Sequence, residues 1–143
     1  METIEIERQK KEIIKKLLIS EEDTLEKFGT LVDKANNFFK IDKNSGAITF
    51  SKEHNFTNAE KITICLIGKY FAHTILKIPN TDGLDISQLS NELPVPSTTL
   101  SKPLGNLIKE KKITNVGGKY RIIYYEIENI LNDLNSKYNT KEV

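Results

Sequence analysis

Apolar residues along the chain recur with two different periods. Over 3–19, Ile6, Ile13, Ile14, Leu17 and Leu18 give one apolar side to a highly charged stretch, which predicts an amphipathic helix. Ser20-Glu21-Glu22-Asp23 has the form of a capping-box restart, with acids where a helix N-terminus favours them. A second helix is expected to run to about Phe39. Leu25, Phe28, Leu31, Val32, Ala35 and Phe39 recur there at spacings of three and four, one buried stripe. The period then changes. In FKIDKNSGAITF two short runs flank Asn44-Ser45-Gly46, which predicts a β-hairpin. This turn lacks the Lys-Ser/Thr pair of a phosphate-binding loop.

Thr57-Asn58-Ala59-Glu60 is a capping box ahead of the most apolar stretch, a helix over 58–77. Ile62, Cys65, Leu66, Tyr70, His73 and Leu76 line one side, and Ile64, Ile67, Phe71 and Ile75 a second. A helix apolar on two sides is expected at the centre of its domain. Gly68 in its middle costs about 1 kcal/mol relative to Ala, so a neighbouring helix is expected to pack closely there. Pro79 and Gly83 break the pattern.

The segment from Asp85 to Ile123 is the most informative. Asp85 to Gln88 caps a short helix with Ile86, Leu89 and Leu93 facing inward, and Pro94 stops it. Pro96 suits the first turn of a following helix, 97–111, whose core face is Leu100, Leu104, Leu107 and Ile108. Its opposite face carries Thr98, Lys102, Gly105 and Lys109, flanked by Ser97 and Ser101. Pro103 lies inside that helix and is expected to bend or loosen it by removing an N–H bond to Thr99. Ile113 to Val116 and Lys119 to Ile123 predict two strands joined by Gly117-Gly118. A last helix, about 125–137, carries Ile127, Ile130, Leu131 and Leu134, and NTKEV is expected to fray. The fold class is therefore mainly α with small β-hairpins. Residues 1–56 are read as an arm or subdomain, and 57–143 as a winged helix-turn-helix domain with a C-terminal helix.

Charge sharpens this picture. The chain carries a net charge of only +1, but residues 97–124 hold six cations against one acid, Glu110. Residues 1–60 hold ten cations against twelve acids. Positive charge is concentrated on the helix-hairpin unit, as expected of a surface for nucleic acid. The hydroxyls of Ser97, Thr98 and Ser101 and the helix N-terminal amides suit phosphate oxygens. Lys102 reaches a base edge or a phosphate, and Lys109, Lys111, Lys112, Lys119 and Arg121 reach the flanking backbone.

Other chemistry is sparse. One cysteine, Cys65, sits in the apolar run ITICLIG and is expected to be a buried, inert thiol. His54 and His73 have neither metal-ligand spacing nor a cysteine partner, and His73 is read as a packing or surface residue. No nucleophile elbow, dinucleotide fingerprint or phosphate loop is present, so no enzyme, cofactor or metal site is expected. No run has the length of a membrane span and no signal-peptide pattern opens the chain, so a cytoplasmic location without membrane contact is expected.

LSNELPVPSTTLSKPLGNLIKEKKI followed by GGKYRI resembles the winged helix-turn-helix superfamily of prokaryotic transcription regulators. Helical arm, KNSGAITF hairpin, LIGKYFA helix and winged unit together resemble small archaeal winged-helix proteins of unassigned function. The resemblance implies duplex DNA as partner, frequently with a homodimer. It places Ser97, Thr98, Ser101 and Lys102 toward the major groove and Lys119 and Arg121 on the wing. Pro103 and the lack of arginine in the helix depart from the pattern. A winged-helix protein-interaction module without DNA binding is the alternative reading.

Overall fold

A computed structural model describes residues 2–17 and 21–138. It is mainly helical, with two small antiparallel hairpins. Two compact units are present, Met1–Asp33 and Lys34–Val143. The first hairpin belongs to the second unit, where it packs on the central helix.

The N-terminal unit holds α1 (Glu2–Leu17) and most of α2 (Glu21–Ala35). In α1, Ile4 and Ile6 are exposed at 75% and 50%, so Ile6 does not lie on a buried side. The side chains of Ile13, Ile14, Leu17 and Leu18, the cap at Ser20 and the NTKEV tail lie outside the described residues. Helix α2 ends at Ala35, short of the expected Phe39. Asn36 and Asn37 follow, and short amide side chains favour turns over helix. Val32, expected in the buried stripe, is exposed.

Strands β1 (Phe39–Ile41) and β2 (Ile48–Phe50) pair antiparallel, with Phe39 opposite Phe50 and Ile41 opposite Ile48. The connection is longer than the three-residue turn expected, because Asp42 organises it. Its carboxylate accepts the amides of Asn44 at 2.8 Å and Ser45 at 2.9 Å. Those bonds hold the Asp42 carboxyl below its ordinary range.

Helix α3 (Asn58–Thr74) is the core of the second unit, with every residue from Ile62 to Lys69 buried. The Thr57–Glu60 capping box forms as expected. The helix stops at Thr74 rather than 77, leaving Ile75 and Leu76 exposed instead of inside, and His73 is a surface residue. Gly68 does serve close packing, but the neighbour is the hairpin, not a helix. A Cβ there would collide with Ile48 Cδ1 and stand 3.2 Å from the Phe39 ring. Cys65 is buried, and burial pushes its thiol up to about 12, so it is protonated and inert.

Helices α4 (Ile86–Glu92) and α5 (Ser97–Lys109) follow, joined through Leu93 to Pro96. Asp85 and Gln88 form the expected capping box on α4. Pro96 is the N-cap of α5, and the helix ends at Lys109 rather than 111. No break occurs at Pro103; residues on both sides of it are helical. Leu100, Leu104 and Leu107 are buried, but Ile108 is 38% exposed and lies off the core face. The helix closes through two reversed bonds, Lys111 N–H to the Ile108 carbonyl and Lys112 N–H to the Leu107 carbonyl, with Lys111 at φ 60°. That is a Schellman closure with lysine where glycine is usual.

Strands β3 (Ile113–Val116) and β4 (Lys119–Ile122) form the second hairpin, with Val116 opposite Lys119. Gly117 and Gly118 take φ of 62° and 83°, as a two-residue turn requires. Leu84, in the α3–α4 connection, pairs antiparallel with Tyr120. A 3₁₀ turn (Tyr124–Glu126) leads into α6 (Ile127–Tyr138), whose Ile127, Ile130, Leu131 and Leu134 are buried. Among the described residues no helix is long and apolar enough to cross a membrane.

Candidate nucleic-acid interface

Helix α5 owes its orientation to the apolar side formed by Leu100, Leu104 and Leu107. With 100° per residue, Thr98, Lys102, Gly105 and Lys109 fall opposite that side. Thr98, Lys102 and Lys109 are exposed as expected. Ser101 is exposed, and its hydroxyl donates to the Ser97 carbonyl at 3.2 Å. Ser97 is the first helical residue and is half-buried. Gly105 has no packing role, since a Cβ built there meets nothing within 4 Å. This outer face is thus smooth, polar and cationic.

The expected cluster of cations divides into two kinds. Lys102, Lys109, Lys111 and Lys119 are exposed and have no ion-pair partner among the described residues. Lys112 is half-buried and pairs with Glu110 at 3.2 Å. Arg121, expected to extend from the hairpin as an exposed cation, is instead tied through Nε to Asp82 at 3.0 Å. Asp82 lies 39 residues earlier, so no local sequence pattern announces the pair. The effective positive surface is therefore smaller than residue counting implies, and centres on four lysines.

The flank of α5 has a different character. Pro103 and Leu107 line a cleft of about 370 Å³ against α3 and α6. Its rim carries Lys102, Lys112 and Lys137 but also Glu60, Glu110 and Asp133, a balance of signs unsuited to a polyanion. Glu60 is also structural. Burial raises its carboxyl, but hydrogen bonds from Tyr138, Thr57 and Lys137 outweigh that and hold it below its ordinary range. The Tyr138 hydroxyl donates to it at 2.6 Å and Lys137 Nζ at 3.0 Å, tying α6 to the start of α3.

His73 is an exposed residue and His54 packs in tilted contact with the rings of Phe38, Phe56 and Tyr138. Among the described residues no group of three or more His, Cys, Asp or Glu has the arrangement of a metal site. No protein-family model, curated protein or solved structure matches the chain.

Proposed function

We propose that this chain is a winged helix-turn-helix protein that binds duplex DNA, with a role in transcription regulation. In this reading α4 and α5 are the helix-turn-helix, β3–β4 is the wing, and α5 enters the major groove. The observation that carries it is the outer face of α5, where Lys102 and Lys109 lack ion-pair partners among the described residues and flank an uncrowded Gly105. Support also comes from the element order: α3, the paired residue Leu84, α4, α5 and the hairpin. Lys119 at the hairpin turn extends the cationic surface beyond the helix.

Salt dependence tests the reading. Four unpaired lysines that neutralise four phosphates release counterions, so log K against log salt should fall with a slope of roughly −3 to −4. An electrophoretic shift on random duplex DNA, titrated with salt, measures it. A flat response, or no binding at low salt, rejects the proposal.

A homodimer belongs to the same reading, because two half-sites read together raise effective affinity. The exposed Ile4 and Ile6 on α1 favour a protein partner for this arm, in our reading a second copy of the chain. Deleting residues 1–19 should then shift sedimentation from dimer to monomer mass. A full-length chain that sediments as a monomer at micromolar concentration contradicts the dimer.

A further inference from the structure

A second concave surface lies between the end of α3, the α3–α4 connection and β4. It consists of two adjoining cavities that share His73, Asp82 and Arg121. The outer one is an open basin of about 480 Å³, with Lys77 and Lys119 on its rim. The inner one is a pit of about 140 Å³ with walls from Leu66, Tyr70, Tyr120 and Ile122.

Arg121 stands at the junction and is held in place. Its side chain crosses Gly83, where an added Cβ would meet Cγ at 3.0 Å and Nε at 3.1 Å. Asp82 accepts from Nε alone, and the terminal amines of Arg121 donate no hydrogen bond among the described residues. A guanidinium oriented through Nε keeps its two-pronged edge for an oxyanion. Lys77 and Lys119 add two cations, against the single carboxylate of Asp82. Lys77 sits at φ 57° and Asn80 at φ 62°, left-handed conformations that side chains seldom adopt, both on this rim.

The pit differs from the basin. Two tyrosine rings and two aliphatic side chains form one part of its wall, with His73, Asp82, Gly83 and Arg121 the other, and its volume is close to that of a cavity of about 150 Å³ that accommodates benzene. A single six-membered ring fits that measure. We propose that the two cavities form one binding site for a small single-ring aromatic anion. The ring enters between Tyr70 and Tyr120, and its carboxylate or phosphate meets Arg121, Lys77 and Lys119. Lys119 is common to this site and to the cationic surface proposed for duplex DNA, so the test contains no DNA.

The ¹⁵N-labelled full chain is titrated with benzoate, phenyl phosphate, their neutral counterparts benzamide and phenol, and inorganic phosphate. One of the two aromatic anions is expected to saturate, with amide shifts centred on Gly83, Tyr120 and Arg121; which one does so separates carboxylate from phosphate. The matching neutral compound and inorganic phosphate should each bind at least about tenfold more weakly. Arg121→Gln should weaken the anion about tenfold with unchanged circular dichroism. Should that variant fail to fold, Lys77→Gln replaces it and should weaken binding several-fold. Failure of both anions to saturate at about 10 mM overturns the proposal. So does a neutral analogue that binds equally, or phosphate alone matching the aromatic anion, which would leave the pit idle.

Discussion

Replacing Lys69 by methionine is expected to cost roughly 3–5 kcal/mol of folding stability, because it strands a partly buried charge. Lys69 is 5% exposed in the centre of α3. Its ammonium donates to the Glu92 carboxylate at 2.5 Å and to the Gly46 carbonyl at 2.8 Å. The other Glu92 oxygen accepts the Ile48 amide at 3.4 Å. One cluster thus ties α3, the end of α4 and the first hairpin together. Without the ammonium, the carboxylate loses its ion-pair partner in a site where it is only 20% exposed, and the Gly46 carbonyl loses its donor. Small domains are stable by about 5–15 kcal/mol, so the loss consumes a large share. Urea denaturation measures it. Lys69→Met combined with Glu92→Leu should recover most of the loss, since removing both charges leaves no uncompensated ion. A single variant within about 1 kcal/mol of the parent would show that the pair contributes little.

Lys102→Ala with Lys109→Ala should leave stability nearly unchanged and weaken duplex binding by roughly tenfold or more at low salt. The salt slope should become shallower by about two, one for each phosphate that is no longer neutralised. Both side chains are exposed and outside any ion pair among the described residues, so the fold does not draw on them. Lys112→Ala is the internal control: its ammonium is already engaged by Glu110, and a smaller change is expected. Gly105→Glu completes the set. The added side chain meets open space and replaces glycine by a better helix former, so stability should rise by about 0.5–1 kcal/mol. The same change sets a negative charge between the two lysines, and duplex affinity should fall at least about tenfold. A Glu variant of undiminished affinity would remove the outer face of α5 from the binding surface.

Features with a local cause were legible in the sequence. The capping boxes at Thr57 and Asp85 form because each needs only residues three apart. The Gly117-Gly118 turn forms because two successive positive φ angles leave few alternatives to glycine. The outer face of α5 follows from helical periodicity alone. What failed depended on distant neighbours. Phe39 keeps helical spacing with Ala35 but belongs to a strand, since Asn36-Asn37 ends the helix and the α3 surface beside Gly68 receives the ring. Arg121 reads as a free cation in the sequence because nothing near it in the chain names Asp82. Likewise, Lys69 is one more polar position on an apolar helix until the fold brings Glu92 and Gly46 to it.

The pairing of Leu84 with Tyr120 has a topological consequence. Tyr120 N–H donates to the Leu84 carbonyl at 2.7 Å, and Leu84 N–H donates to the Tyr120 carbonyl at 3.1 Å. With β3 on its other side, β4 is flanked at its midpoint from both directions and offers little free edge there to a foreign strand. Within this hairpin, strand addition by another chain is thereby left chiefly to β3, which is four residues long and ends at Val116. An edge so short is a poor template for sheet growth. The hairpin can present its turn outward without becoming a seed for aggregation.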